Sequence, residues 1–566
     1  MKNIQKYLII LIGSIVWTLT MFRSGLMGSS GINFFGANGH DGIWHLAVIN
    51  SLSSGNLENP VMAGETIKNY HIGFDVLVAL LHKITTIDIS ILYFQILPFI
   101  FSFLIGLLVY QFVFNWKKDE TKSLWATSFV YFSGSLGFLV TLYKDGVVSG
   151  ESVFWSQQSV STLINPPFAL SLVLILSGLI AVQKKKILLP ILLFGILLQI
   201  KAYAAILVLA GLFAVAFYSY FILNTKYYIQ VFIGSLILNV ILLFAIPNDN
   251  VSVFSFMPFW FLETMMSYGD RLGIEKYYSA MTNYKLGYVY FKLVASYTVA
   301  LSIFLIGNMG LRIISAKYYL DLLKKKIKLD YIDIFITTIL FVSVLIPMFF
   351  VQVGTPWNTI QFFYYFLFFT AIISGIILGG FIKDLKVQSK YIVYILIVFI
   401  FSINAWVTLQ HYLPKVSQAI LPKEEVEALL FLKKLEDGTI LTYPFDEYRA
   451  KEAANNPPRP LYLYESTAYV AYYSDKKMFL GDEVNSNIMG YDWKNRRKEI
   501  LNFFATQDKT EAKKFLKDNN IRYLYLTRDN PNSMGSRMYL SPGDLDLDTI
   551  YENPKISIYE YKLGSI

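Results

Sequence analysis

From Met1 to about Leu413 the chain is a succession of continuous apolar runs. Each is near the roughly 20 residues a helix needs to cross a hydrocarbon core. In lipid, backbone polar groups must be satisfied internally, so only helices and closed barrels can span. A barrel would show alternating segments of about ten residues; these runs do not alternate. The reading is a polytopic α-helical membrane protein with about eleven spans, at 7–22, 93–114, 123–143, 166–183, 187–200, 203–223, 228–247, 289–311, 333–352, 360–382 and 391–410. Residues 414–566 read as one soluble domain. Only 16% of the chain is charged and 55% is hydrophobic, against about a quarter charged in soluble proteins. The first run follows Lys2 and Lys6 as in a signal peptide, but no small-x-small cleavage pattern follows it, so a retained first helix is expected. The chain has no cysteine, which excludes disulfides and thiolate metal sites.

The net charge of +9 is distributed as a topology signal. Lys2, Lys6, Lys117, Lys118, Lys122, Lys184 to Lys186, Lys226, the 312–331 cluster (Arg312, Lys317, Lys324 to Lys326, Lys328), Lys383, Lys386 and Lys390 all fall on one side of the expected spans. By the positive-inside rule the N-terminus is cytoplasmic and the C-terminal domain extracytoplasmic, in a cytoplasmic membrane. That pattern argues against nucleic acid as a partner.

Three outer segments are long. The first, 23–91, has two stretches with the pattern of short amphipathic helices, Asp41–Ser53 and His71–Ile84, expected to lie on the outer surface. The second is 144–165, with Trp155, Gln157, Gln158 and Asn165. The third is 248–288, with an aromatic stretch from Phe254 to Phe261 ahead of Glu263, Asp270 and Arg271. In the tail, helices are expected at Glu424–Leu435, Lys494–Phe504 and Lys509–Asp518. Strands are expected at Thr439–Tyr443, Ile521–Thr527 and Ile556–Lys562. This makes an α/β or α+β domain.

The first outer segment concentrates chemistry. It holds four of the five histidines, His40, His45, His71 and His82, together with Asp41, Glu65 and Asp75. Asp41 and His45 are four apart, on one face of a helix. A carboxylate there can take a proton from a hydroxyl nucleophile, and the Asp41/His45 pair is alternatively a divalent-metal pair. The bland reading of Asp41 is a helix N-cap; that of the histidines is hydrogen-bonded bystanders.

The stretch GHDGIWHLAVINSL…NPVMAGETIKNYHIGFDVLVALL (Gly39–Leu81), placed just after the first span, resembles the first-loop signature of bacterial members of the GT-C superfamily of membrane glycosyltransferases. The likeness covers the spans and the first loop. It implies many spans, a large first outer loop with two surface helices, an extracytoplasmic C-terminal domain, and transfer of a sugar from a polyprenyl-phosphate donor. The position matching the family's acidic catalytic residue is Asp41. The family's Asp-Glu pair is absent, since Gly42 follows Asp41, and metal dependence therefore stays open. The implied partners are the lipid-linked donor, an extracytoplasmic acceptor (glycan, lipid or protein) and membrane lipid.

Further substrate-binding candidates are His45, His71 and Glu65 in the first loop, and Lys201, Arg271, Asn358 and Gln361 elsewhere. A cation at Lys201 or Arg271 would neutralise a lipid phosphate; the alternative for Lys201 is a lysine snorkelling to the interface. Asn358 and Gln361 enter a span and must face protein or a wet cavity, where they would bind sugar hydroxyls or join helices. The acidic runs Gly481–Asn487 and Gly543–Asp548 lack calcium-loop spacing and read as turns. Competing functions are a lipid or polysaccharide transporter or flippase, which needs charged or broken helices at the midplane, and a non-catalytic envelope assembly protein.

Overall fold

In the computed structural model, residues 2–222, 224–247, 254–324, 329–464, 466–528 and 538–562 are described. They form two compact units, a helical one (Met1–Thr20, Leu97–Ala245, Ser252–Leu413) and a mixed one (Met21–Ile96, Ile246–Val251, Pro414–Ile566). Hydropathy draws its line at Leu413, where the spans end. Packing instead groups the first outer segment with the tail.

Among the described residues, eight helices are long and apolar enough to cross a membrane: Ile89–Lys117, Glu120–Asp145, Pro166–Gln183, Ala202–Phe221, Tyr290–Leu323, Tyr331–Phe349, Pro356–Asp384 and Val387–Tyr412. Three shorter apolar helices, Ile4–Thr18, Leu188–Ile200 and Tyr227–Leu243, fall at the other expected positions. The protein is a multi-pass membrane protein.

Close helix contact in the helical unit depends on residues without side chains. Tyr131 donates to the Ser102 carbonyl at 2.6 Å, and the Trp17 indole donates to the Tyr131 carbonyl at 2.9 Å. The Tyr131 side chain fills the space at Gly13 and Gly106, where a Cβ would come within 2.3 Å of its ring and 2.1 Å of its hydroxyl. Gly375, on Gln361–Asp384, lies against the backbone of Glu120–Phe132; a Cβ there would sit 2.3 Å from Ala126. Lipid tails supply no hydrophobic drive between helices, so such small-residue contacts carry the association. Gly375→Val should therefore force these helices apart, and size-exclusion of the detergent-solubilised variant should show loss of the monodisperse peak.

The helical run Glu120–Asp145 is interrupted: helix Glu120–Phe132 ends at Ser133, and Gly137–Asp145 resumes after it. Arg312 repairs the break. Its guanidinium donates to the Ser133 carbonyl (2.8 Å), Gln158 Oε1 (2.7 Å), Ser159 Oγ (2.9 Å) and the Asn308 carbonyl (3.2 Å). Arg312 is 1% exposed and lies inside the stretch Tyr290–Leu323. It is not a loop residue of the basic cluster, as its neighbours in sequence suggested; the exposed carbonyl of a broken helix is what draws it inward. Lys325, Lys326 and Lys328 of that cluster, and residues 248–253 of the third outer segment, lie outside the described residues.

The mixed unit contains two four-stranded sheets. In one, Gly31–Phe34 lies between Leu26–Met27 and Ala419–Pro422, antiparallel to both, and Arg459–Pro460 completes it in parallel. The first outer segment and the tail thus share backbone hydrogen bonds. Gly31 (φ +143°) is required here, because a Cβ would meet the Leu421 carbonyl at 2.1 Å. The other sheet has the order Thr439–Leu441, Ile521–Thr527, Ile556–Tyr561, Leu547–Glu552. Helices Lys423–Lys433, Trp493–Ala505 and Lys509–Asp518 stand within two residues of their expected positions.

Two expectations fail locally. The acidic runs are not simple turns: Asp482 caps helix Glu483–Ile488 by accepting from the Asn485 amide (3.0 Å), and Leu547–Glu552 is an edge strand after a short capped turn at Pro542–Leu545. Helix Asp41–Ser53 is not amphipathic. It is buried on every side from Gly42 to Ile49, because the tail helix Ala468–Ser474 covers it too. Helix Gly73–Thr85 does show an exposed apolar stripe, Val76, Leu80 and Ile84.

Candidate active site

Asp41 occupies the first turn of helix Asp41–Ser53, and His40 is the residue that precedes the helix. The bland N-cap role therefore does not belong to Asp41. Its side chain is 57% exposed while the helix behind it is buried. The helix N-terminus favours negative charge at this place. His40 Nδ1 lies 2.8 Å from Asp41 Oδ1. An accessible carboxylate beside an imidazole is suited to accept a proton.

His45, one turn on, looks elsewhere. Its Nδ1 is 2.7 Å from Asp75 Oδ1, and the pair is almost fully enclosed (8% and 0% exposed). Trp44, Phe74 and Tyr93 ring it at 5.0–6.0 Å between ring centroids. Burial pushes the Asp75 carboxyl upward, and the His45 charge and hydrogen bond act against that. Asp75 Oδ2 has no hydrogen-bond partner among the described residues, a costly state for a buried carboxyl. With Asp75 on Nδ1, the imidazole is held in one orientation. Among the described residues, no group of three or more His, Cys, Asp or Glu is arranged to hold a metal.

The other first-loop candidates are dispersed. Glu65 is 3.7 Å from the Arg496 guanidinium of the tail. His71 packs edge-on against Tyr70 at 4.5 Å. The tail contributes residues that sequence reading passed over. Tyr464 donates to the Gly36 carbonyl at 2.9 Å and its ring lies 5.9 Å from His40. Asp482 is 3% exposed and accepts from Ser466 Oγ (3.1 Å) and Asn485 Nδ2 (2.9 Å). Burial raises its carboxyl to about 6, and the nearby Asp41 charge adds to the rise. No spacing rule links residues more than 400 positions apart, so nothing in the linear pattern pointed to them.

That shift has a consequence for stability. An acid whose folded value lies above its unfolded one binds more protons in the folded state between the two. Asp482 thus contributes stability below about pH 4 that is lost as pH rises to about 6. The Asp482→Asn variant should show a flatter melting temperature than wild type across pH 4–6 in thermal unfolding of the solubilised protein.

In the helical unit, two of the candidates are joined. Lys201 breaks the helical run between Leu197–Ile200 and Ala202–Phe221. At 5% exposure it is not a snorkelling lysine. Its Nζ is 3.4 Å from Asn165 Oδ1, and Asn165 Nδ2 donates to Gln361 Oε1 at 3.2 Å. Asn358, by contrast, turns onto Thr355 Oγ1 in its own loop (3.2 Å). The Arg271 guanidinium stacks over Trp155 at 4.2 Å and donates to the Ser152 carbonyl at 2.7 Å. Burial lowers its proton affinity, and Asp270 opposes that.

No family model and no curated protein matches the chain by sequence. Its structure does have relatives. It is similar to the crystal structure of the oligosaccharyltransferase of Archaeoglobus fulgidus in the apo form, with a TM-score of 0.50 and 10% identity, covering 92% of this chain and 69% of that one. Structures of the same enzyme tethered to an acceptor peptide with the NVT sequon (TM-score 0.49, 10% identity) and of AglB from Archaeoglobus fulgidus with an inhibitory peptide and a dolichol-phosphate (TM-score 0.49, 9% identity) match over the same shares of the chains. The likeness is one of fold.

Proposed function

We propose that the protein is a membrane glycosyltransferase that moves a sugar from a polyprenyl-phosphate donor to an acceptor outside the cytoplasmic membrane. The observation that carries this reading is Asp41, an accessible carboxylate beside His40 at the start of a buried helix, in a fold similar to that of an archaeal oligosaccharyltransferase. Asp41 acts as general base. The acceptor O–H gives its proton to an Asp41 oxygen, the acceptor oxygen bonds to the anomeric carbon, and the bond from that carbon to the phosphate oxygen breaks. The leaving group is an anionic lipid phosphate, for which positive charge lowers the barrier. Within the unit that carries Asp41, His71 and Glu65 are assigned to the acceptor side. The basic loops set the N-terminus in the cytoplasm and residues 414–566 outside.

His45 has its Nδ1 on Asp75, and its role in this reading is to hold the helix carrying Asp41. Thermal unfolding of the solubilised protein with and without polyprenyl-phosphate sugars tests donor recognition. Stabilisation by the lipid-linked sugar and none by a sugar nucleotide is expected. Stabilisation by the sugar nucleotide alone would overturn the donor assignment. Transfer undiminished by a chelator would confirm that Asp41 works without metal.

A further inference from the structure

The tail segment around Tyr464 stands directly behind the start of the Asp41 helix, and no step of the reaction above uses it. Tyr464 is 8% exposed. Its hydroxyl donates to the Gly36 carbonyl at 2.9 Å, at the first residue of the short turn Gly36–Gly39 that feeds the helix. The Arg459 guanidinium lies 4.2 Å from its ring centroid, and the His40 imidazole lies 5.9 Å away, centroid to centroid. The approach is so close that a Cβ on Gly39 would lie 2.8 Å from the Tyr464 ring. His40 itself has a non-helical backbone (φ −125°, ψ −65°) and no side-chain cap bond. The Tyr464 ring packs beside the His40 imidazole, whose Nδ1 lies 2.8 Å from Asp41 Oδ1. Two residues beyond the aromatic contact, Ser466 donates to Asp482, so the same tail segment also anchors the second carboxylate of this region.

We infer that Tyr464 is a positioning residue, which acts through His40 to hold the Asp41 carboxylate in the orientation that accepts the acceptor proton. The C-terminal domain then supplies part of the transfer machinery instead of only covering it. The inference rests on the assignment of Asp41 as base.

A simple packing role for Tyr464 would lower stability and leave the rate of folded protein alone. A positioning role lowers kcat through His40. The test uses the full chain in detergent or nanodiscs with a polyprenyl-phosphate sugar donor and a membrane-extract acceptor. Tyr464→Leu should lower kcat by about tenfold, a loss of the size expected for one misplaced hydrogen bond, with KM for the donor within about twofold. Tyr464→Phe, which keeps the ring, should recover part of it. In a His40→Ala background, Tyr464→Leu should cost no more than about twofold further, because residues acting as a unit are not additive. Hydrogen exchange over residues 36–45 should quicken in Tyr464→Leu whether or not transfer is measured. Wild-type transfer with unchanged kcat in Tyr464→Leu, or full additivity with His40→Ala, would overturn the inference and leave the base assignment standing. No transfer by the wild type would instead remove the base assignment, and this inference with it.

Discussion

The Asp41→Asn variant should lose sugar transfer by roughly 10²- to 10⁴-fold, the usual contribution of a general base, and fold as well as wild type. Asn keeps the size of the side chain and still accepts from His40 through its carbonyl oxygen. What it loses is the ability to take a proton. Asp41 is 57% exposed and lies in the first turn of its helix, after the cap position, which His40 occupies. That separation of activity from folding distinguishes this position from Asp75. Asp75 is 0% exposed and pairs with His45 at 2.7 Å. The check is initial transfer rate per folded molecule, with the melting temperature measured alongside. Activity within a few-fold of wild type would remove Asp41 from the reaction.

The largest stability effect should come from Arg312→Met. Methionine matches much of the arginine stem but offers no donor. The Ser133 carbonyl, Gln158 Oε1 and Ser159 Oγ would each lose a charged partner within 2.9 Å. The first of these is a helix-end carbonyl in a segment long and apolar enough to cross a membrane. Hydrogen bonds to charged groups contribute about 1.5–3 kcal/mol each, so a loss on the order of 3 kcal/mol overall is expected. Thermal unfolding in detergent should show a clear drop in midpoint, and expression of folded protein should fall. Arg312→Lys should recover little, since one ammonium cannot reach the same acceptors with a planar fork.

Hydropathy located the helices well because the physics is local. A run such as Val387–Tyr412 must be helical in lipid whatever surrounds it, and the tail helices Trp493–Ala505 and Lys509–Asp518 start at Asp492 and Asp508, whose side chains cap them. Arg312 was misplaced because its role is set by a helix break 179 residues away, at Ser133. Helix Asp41–Ser53 reads as amphipathic in sequence, but the tail helix Ala468–Ser474 packs on it and Gly42–Ile49 is buried throughout, while Asn50 donates to Asp475 at 2.6 Å. The same reason governs the candidate site. Asp41 and the histidine-rich first loop were legible as a cluster. Their pairing was not: His45 seemed the partner of Asp41 at helical spacing, but its Nδ1 meets Asp75, and His40 stands on Asp41. Tyr464 and Asp482 reach the region only through the fold. Lys201 and Gln361, chosen separately, are linked through Asn165.

The most direct test of the account is transfer of radiolabel from a panel of polyprenyl-phosphate sugars into membrane extract by the purified chain, wild type beside Asp41→Asn. The account predicts transfer from at least one donor, release of the polyprenyl phosphate in step with it, and loss of both in Asp41→Asn. Equal transfer by the two proteins, or no transfer from any donor by well-folded wild type, would contradict it.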